Sequence, residues 1–271
     1  MEHLVIIKFG GGLITFKDKL CEANFEVIQE LSKTTKTLRQ HNFKVMMVHG
    51  AGGFGHIKAK KWKLHLGFQP DLKGQFEAVE AVRNDMKSLS TIVVQSLEQL
   101  GLKCHIFHPS SCQFTGIGSK LNCDLKSIFS TIENSKIPIL HGDVVPINDS
   151  SKFGILSGDD ICVKLVTEAS KLNYKTSMIF AMTGAPGVLT LPPNDPKAEL
   201  ISEWHPNSGQ IPLLEHNSSI DVTGGIKLKL EACAKMSKFI ENVWILDGRI
   251  PSRIIEAVIH EKTIGTKIFN K

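Results

Sequence analysis

The sequence lacks several features that mark secreted, membrane-spanning or nucleic-acid-binding proteins. Its six cysteines include no C-x-x-C pair, which indicates reduced, mostly structural thiols in a reducing compartment. The N-terminal apolar run, Leu4 to Ile7, is too short for a signal peptide or a membrane span. No later apolar run is long enough for a membrane span either. The 32 Lys+Arg exceed the 27 Asp+Glu by only 5, without a block of like charges. We therefore expect a cytoplasmic protein with neither a nucleic-acid nor a membrane partner.

The 271 residues, 42% of them hydrophobic, alternate short apolar segments with longer amphipathic ones. This alternation predicts an α/β fold, a three-layer αβα sandwich around a mainly parallel central sheet. The predicted strands are Leu4–Phe9, Phe43–Val48, Lys103–Phe107, Ile137–Leu140, Thr176–Ala181 and Val243–Leu246. The predicted helices are Asn24–Gln40, Lys73–Leu100, Asp159–Lys171, Ile226–Phe239 and Pro251–His260.

Two other segments have the composition of connections. Asp143–Ile155 carries turn residues between apolar stretches and predicts a hairpin, while Leu191–Gln210 is rich in Pro, Asn and Asp and predicts a long surface excursion. A soft boundary near Leu172–Lys175 divides the chain into an N-terminal lobe, about 1–172, and a C-terminal lobe, about 173–271. The residues at this boundary do not have the composition of a linker, so both lobes are expected to form a single domain, 1–271.

Two glycine-rich loops follow the first two predicted strands and are typical of phosphate sites. Gly10-Gly11-Gly12 follows Lys8-Phe9, and the second loop, residues 49–56, reads HGAGGFGH. Glycine backbones can turn sharply and bring N–H groups close to an anion at the carboxyl ends of parallel strands. Neither loop has the spacing of a P-loop or of a dinucleotide-binding fingerprint. The alternative for the first loop is a tight structural turn, and for His56 an ordinary position at a helix start; His49 is interpreted as structural.

Two further motifs bring carboxylates and lysines to predicted helix starts. In the segment LSGDD, residues 156–160, either Ser157 or Asp159 could be an N-cap. The functional alternative is that Asp159 orients lysines that hold a transferring phosphoryl group. In DVTGGIKLK, residues 221–229, a Gly-Gly turn opens a helix with Lys227 and Lys229 near its start. Lysines there oppose the helix dipole, so a bound anion would explain them, and an exposed basic helix start is the alternative.

Taken together, the motifs resemble the amino acid kinase superfamily. The matching segments are KFGGGLIT, HGAGGFGHIKA, HGDVVP, ILSGDDI, DVTGGIKLK and GTKI, and the resemblance runs from residue 4 to residue 268. G-G-F-G-H is similar to the branch of isopentenyl phosphate kinases and fosfomycin kinases, and D-V-T-G-G favours the isopentenyl phosphate kinase side. The resemblance implies an enzyme that transfers the γ-phosphoryl group of ATP, with Mg²⁺, to isopentenyl phosphate in isoprenoid biosynthesis fed by a mevalonate-type pathway. It also implies a homodimer formed through the N-terminal lobe, with the acceptor on that side and the nucleotide in the C-terminal lobe.

The resemblance also implies roles for single residues. Lys8 and Lys17 would bind the ATP phosphates, and Lys19 is an alternative to Lys17. His56 would bind the acceptor phosphate, and Asp159 would orient the lysines. The expected catalytic residues are Lys8, Lys17, His56 and Asp159. Those expected at the acceptor are Gly11, Gly52, Gly53, Gly55, His56 and Gly158. Those expected at ATP are Lys8, Gly10, Lys17, Thr183, Gly187, Gly224, Lys227 and Lys229. No side chain is assigned as a metal ligand.

The sequence departs from the family pattern at three places. Gly12 replaces the serine of G-G-S, Ala51 and Gly53 stand where glycine and serine are usual, and MTGAPGV at 182–188 lacks both aspartates of T-D-V-D-G-[VI]. Two alternatives therefore stay open: a kinase of another small phosphate or phosphonate, as fosfomycin kinases are, and a degenerate nucleotide-binding regulatory protein. A helix face formed by Phe76, Val79, Arg83 and Met86 would be either plain core or the wall of a prenyl pocket.

Overall fold

The computed structural model describes residues 1–111, 114–206 and 225–270. Its strands are β1 (His3–Phe9), β2 (Lys44–His49), β3 (Cys104–Ile106), β4 (Ile137–His141), β5 (Asp143–Pro146), β6 (Phe153–Leu156), β7 (Lys175–Met182), β8 (Glu203–Trp204), β9 (Asn242–Asp247) and β10 (Thr266–Ile268). Its α-helices are α1 (Gly11–Ile14), α2 (Phe25–Gln40), α3 (Gly52–Lys61), α4 (Gln75–Glu98), α5 (Lys126–Glu133), α6 (Gly158–Lys171), α7 (Gly225–Met236) and α8 (Ser252–Ile259). Within these ranges, no helix has the length and apolar character needed to cross a bilayer.

Eight strands form one sheet in the order β3-β4-β2-β1-β7-β9-β10-β8. The first six of these run parallel, whereas β10 pairs with β9 in the antiparallel direction. β1 lies between β2 and β7, and Leu4 to Ile7 are fully buried, as expected for a strand covered on both faces. All seven residues of β1 pair with β7, so strands from both sides of the predicted boundary near 172–175 belong to one sheet.

Helices cover both faces of this sheet, and the alternation of side chains along β1 shows the division. Val5, Ile7 and Phe9 belong to a core shared with α2, α3, α4 and α8, and Leu4 and Ile6 belong to a core shared with α5, α6 and α7. The predicted three-layer αβα sandwich is thus confirmed. Because side chains alternate along a strand, Lys8 points to the α6 and α7 side, with Leu4 and Ile6.

The predicted strands and helices are confirmed with shifts of a few residues at their ends, and β5 and β6 form the predicted antiparallel hairpin. The sequence reasoning omitted α5, which is only eight residues long. The prediction of a long surface excursion over Leu191–Gln210 was wrong at Glu203–Trp204, and its last four residues, 207–210, lie outside the described residues. Glu203–Trp204 pairs with β10 at the edge of the sheet, because the indole of Trp204 is buried there.

Candidate active site

Loops that follow four parallel strands, β1, β2, β4 and β7, line a cavity of about 680 Å³ at the carboxyl edge of the sheet. Helix starts complete the lining: Gly158 and Asp159 come from α6, and Gly225 and Lys229 come from α7. Open α/β sheets bind ligands at this edge because loop amides and helix N-termini converge there. The topology therefore provides a site for anions before any side chain is considered.

The two glycine loops touch each other, which explains their composition. A Cβ atom on Gly11 would overlap the amide nitrogen of Gly52, and one on Gly50 would lie 2.5 Å from the nitrogen of Gly11. Gly52 also has a φ of +48°, in the left-handed region that favours glycine. Side chains are thus excluded where the loops meet, and backbone from both loops forms one wall of the cavity.

A cluster of two lysines and one aspartate lies at the centre of the cavity. Asp159, in the first turn of α6, accepts hydrogen bonds from Lys8 on β1 and from Lys229 on α7, whose Nζ is 3.0 Å from Oδ2. The three side chains are nearly buried, with exposed fractions of 11% for Lys8, 15% for Asp159 and 13% for Lys229. Ser157 caps the helix by accepting the N–H of Asp160, which leaves the Asp159 carboxylate to the lysines.

Burial and ion pairing have opposite effects on these three groups. Burial alone would raise the pKa of Asp159, but Lys229 and Lys8 outweigh it and hold the pKa well below its usual range. Burial would lower the pKa of Lys8, but pairing with Asp159 raises it above the ordinary value. For Lys229, burial and the nearby Lys8 outweigh Asp159 and lower the pKa. The ring of Phe180 lies beneath both ammonium groups, 4.7 Å from Nζ of Lys229, and adds cation–π stabilisation. The cluster thus holds two ammonium groups in fixed positions, ready for phosphoryl oxygens.

One end of the cavity combines a histidine with an apolar wall. His56, on α3, lines this end beside Ala59, and Val82 and Met86 approach from α4. Val144 from the β5–β6 hairpin contributes to the same lining. A ligand with an anionic group at the histidine and a short hydrocarbon at the wall matches this chemistry.

Lys17 reaches the cavity by lying across the first glycine loop. A Cβ atom on Gly12 would overlap Cε of Lys17, so the absence of a side chain at Gly12 gives the lysine its position. Lys19, the rival lysine, instead pairs with Glu22 at 2.7 Å and lies over the ring of Phe16. The structure thus brings Lys17, but not Lys19, to the cavity.

The opposite end of the cavity is formed by the loop after β7, residues 183–188, and by Leu189, Leu191 and Pro193. The buried hydroxyl of Thr266 on β10 holds this loop, because it accepts the Val188 N–H at 2.8 Å and donates to the Ile201 carbonyl at 2.6 Å. This explains the position of the GTKI motif, far along the chain from the loop that it supports.

Comparison with known proteins agrees with this architecture. The family model for the amino acid kinase family matches residues 3–247. The chain belongs to the amino acid kinase family. It is 29% identical to the isopentenyl phosphate kinase of Thermoplasma acidophilum, over 98% of this chain and 100% of that one. It is 28% identical to the isopentenyl phosphate kinase of Methanocaldococcus jannaschii, over 98% of each chain. A crystal structure of an isopentenyl phosphate kinase substrate complex superposes with a TM-score of 0.79 and 26% identity, over 97% of this chain and 99% of that chain.

Most residues that the sequence predicts for the site of this amino acid kinase line the cavity. They are Lys8, Gly10, Gly11, Lys17, Gly55, His56, Gly158, Asp159, Thr183, Gly187 and Lys229. Gly52 and Gly53 are buried outside the lining, and the Gly53 N–H donates to Thr15 Oγ1 at 3.0 Å, so that amide is not directed at the acceptor. Lys227 is exposed. It precedes Lys229 by two residues, and in a helix this spacing places the two side chains on opposite sides. Gly224 lies outside the described residues.

Some lining residues were not predicted. Asp143, from the HGDVVP motif, lines the cavity, but its two oxygens accept the backbone N–H groups of Ser110 and Val144. On α4 the lining residues are Met86, which belongs to the predicted face, and Val82, which does not. Of the other members of that face, Phe76 is 55% exposed, Val79 lies in the core and Arg83 donates to the Val144 carbonyl at 2.8 Å. The helical spacing indicated the right element but could not identify which of its faces borders the cavity.

Proposed function

We propose that this amino acid kinase transfers the γ-phosphoryl group of ATP to the phosphate of isopentenyl phosphate, giving isopentenyl diphosphate and ADP. The observation that carries the proposal is His56 beside the apolar wall of Val82 and Met86, at one end of a cavity centred on the Asp159 cluster. An anionic head with a short branched hydrocarbon fits such an end. The isopentenyl phosphate kinases to which the chain is similar support the same choice.

The residues present match the needs of phosphoryl transfer between two phosphates. The acceptor oxygen is already ionised, so no side chain has to remove a proton from it. The transition state spreads negative charge over phosphoryl oxygens, and Lys8, Lys17 and Lys229 would stabilise it by position and charge. His56 would hold the acceptor phosphate by a charge-assisted hydrogen bond, in line with the nucleotide.

Mg²⁺ would enter this site with the nucleotide. Within the described ranges, no group of three or more His, Cys, Asp or Glu residues is arranged to hold a metal ion. The two carboxylates in the described lining are both engaged, Asp159 by lysines and Asp143 by backbone N–H groups. Mg²⁺ commonly keeps several waters and binds through substrate phosphates, so the ATP phosphates would be its main ligands and it would neutralise their charge.

We extend the proposal to a homodimer formed through the N-terminal lobe, acting in the cytoplasm to make isoprenoid precursors from the product of a mevalonate-type pathway. This extension is supported by the family likeness alone.

The test is product formation by the purified protein with Mg-ATP, followed by ³¹P NMR and by ADP release. Isopentenyl phosphate and dimethylallyl phosphate are compared with fosfomycin and with isopentenol, which carries the hydrocarbon without the phosphate. His56→Ala should lower kcat/KM for the prenyl phosphates by about 10- to 100-fold, the loss expected for a hydrogen bond to a charged group. The matched control is His65→Ala, since His65 is exposed and outside the cavity lining.

Three results would overturn the proposal or part of it. Faster turnover of fosfomycin than of either prenyl phosphate would show that the acceptor is a phosphonate rather than a prenyl phosphate. ATP binding without turnover of any acceptor would favour a regulatory nucleotide-binding protein. Equal losses in His56→Ala and His65→Ala would remove the role of His56.

A further inference from the structure

Two neighbouring strands each finish in a histidine that is followed by a glycine, beneath the acceptor end of the cavity. The proposed reaction assigns no role to these two His-Gly pairs. His49 is the last residue of β2 and His141 the last residue of β4, and their Cα atoms are partners in the sheet register. Their rings are stacked, with centroids 5.4 Å apart. Both residues are almost completely buried, at 1% and 0% exposure.

Each histidine holds the carbonyl of the glycine that follows it. Nδ1 of His49 lies 3.1 Å from the Gly50 oxygen, and Nδ1 of His141 lies 2.9 Å from the Gly142 oxygen. A carbonyl oxygen only accepts, so in both rings the proton is on Nδ1. The sequence motifs HGAGG and HGDVV therefore encode the same local contact twice.

The other nitrogen of each ring must then accept a hydrogen bond, and the structure provides a donor for each. Ser90 Oγ lies 2.8 Å from Nε2 of His49, and Nδ1 of His108 lies 2.9 Å from Nε2 of His141. The Ser90 hydroxyl is also 3.0 Å from the Met86 carbonyl, but its single proton is required at the imidazole. The hydrogen bonds thus define one tautomer for every ring.

The surroundings keep the rings neutral. Burial, with the neighbouring His141, lowers the pKa of His49 to about 3. Burial also lowers the pKa of His141 and of His108, although Asp143 opposes the shift at both and Lys87 adds to it. A neutral ring with one donor and one acceptor is what this hydrogen-bond pattern requires.

Holding the Gly50 carbonyl determines where the next amide points. In a planar trans peptide the C=O and N–H bonds lie on opposite sides, so the Ala51 N–H points away from His49. Ala51 lines the cavity, and its nitrogen lies 3.0 Å from the position of a Cβ on Gly11, across the joined glycine loops. Beyond His141 the backbone is engaged within the protein, since the Gly142 N–H donates to the His49 carbonyl at 3.3 Å and Asp143 pairs with Leu156 in the β5–β6 hairpin.

We infer that His49 is a positioning residue for the acceptor phosphate: it holds the Gly50 carbonyl and so directs the Ala51 N–H at the bound anion, while the neutral ring of His141 stacks against it. The identity of the anion as a prenyl phosphate rests on the proposed function. The positioning itself applies to any phosphate at this end of the cavity.

The test compares His49→Leu with His49→Asn, because an asparagine amide can donate from nearly the place of Nδ1 and leucine cannot. In His49→Leu, KM for isopentenyl phosphate should rise about 10- to 100-fold, while KM for ATP stays within about twofold. His49→Asn should recover most of the loss. In case His49→Leu does not fold, Ser90→Ala removes only the donor at Nε2, frees the ring to change tautomer and should raise the same KM by a smaller factor.

Two further measurements separate this inference from the proposed function. Binding of inorganic phosphate, followed by calorimetry, needs no turnover and should weaken in His49→Leu but not in His49→Asn. Long-range ¹H–¹⁵N NMR at pH 7 should show His49, His108 and His141 as neutral rings protonated at Nδ1. A His49 ring that is charged or protonated at Nε2, or equal rises of both KM values, would overturn the inference. An inactive wild type with these signals and this phosphate binding would remove the proposed function only.

Discussion

Replacing Asp159 with asparagine should destabilise the protein and yet strengthen its binding of phosphate. The carboxylate is shared by Lys8 and Lys229, and all three side chains are at least 85% buried, with exposures of 11% to 15%. Asparagine keeps the size but not the charge, so two nearly buried ammonium groups would be left without a counter-ion. Removing one partner of a buried ion pair costs about 3–5 kcal/mol, and we expect the free energy of unfolding to fall by that amount.

The same change makes the centre of the cavity more positive. In the wild type the cluster carries two lysine charges and one carboxylate, whereas Asp159→Asn leaves the two lysine charges alone. A bound phosphate would then supply the missing negative charge and should stabilise the variant more than the wild type. Catalysis should nevertheless fall by about 10- to 100-fold, because the lysines lose the group that orients them.

Urea unfolding with and without saturating inorganic phosphate measures both effects, and steady-state kinetics measures kcat. Asp160→Asn is the matched control, since Asp160 is the next residue of α6 and hydrogen-bonds Ser157 rather than the lysines. Wild-type stability in Asp159→Asn, or equal stabilisation of both proteins by phosphate, would refute the view that this carboxylate neutralises the two lysines.

Two other predictions test the glycine loop and the buried histidines. Gly12→Ala adds a Cβ that overlaps Cε of Lys17, so kcat should fall about tenfold while the free energy of unfolding changes by less than about 1 kcal/mol. In a double-mutant cycle, adding Gly12→Ala to Lys17→Ala should cause no further loss of kcat. Additive losses would show that Gly12 does not act through Lys17. Because His49 has a pKa of about 3 when folded and the ordinary 6.5 when unfolded, the unfolded chain binds the extra proton between these values. Stability should therefore decrease as the pH falls through about 6.5, with a slope from His49 alone that approaches about 1.4 kcal/mol per pH unit near pH 5, and urea titrations giving a flat profile from pH 6.5 to 5 would contradict this.

The sheet was predictable because its central strands are apolar on both faces. Runs such as Leu4 to Ile7 have no alternation, and their short length with a glycine loop directly after favours a strand covered on both faces. The short edge strands carry no such signal, and β8 has only two residues. Its pairing with β10 depends on tertiary contacts rather than on local sequence.

The chemistry of the site was predictable as residue types but not as contacts. Lys8 and Asp159 are 151 residues apart, and the motifs indicated that Lys8 binds phosphate and that Asp159 orients lysines, but not that these two side chains meet. The choice between Lys17 and Lys19 depended on Glu22, which pairs with Lys19. The amide of Gly53 is taken by Thr15, which comes from another loop 38 residues earlier. Such competition between partners appears only when the loops are brought together.

The loss of both aspartates from the loop after β7 is consistent with the charge distribution elsewhere in the cavity. In the described lining, the only carboxylates are Asp143 and Asp159, and both are engaged within the protein. The remaining charges there are Lys8, Lys17 and Lys229, so this lining contributes positive charge and backbone amides, and the negative charge must come from the ligands. Phosphate binding then depends on how accurately lysines and amides are aimed. One carboxylate holds Lys8 and Lys229, Gly12 makes room for Lys17, and the neutral His49 holds the Gly50 carbonyl, so uncharged groups as well as charged ones define the geometry of the site.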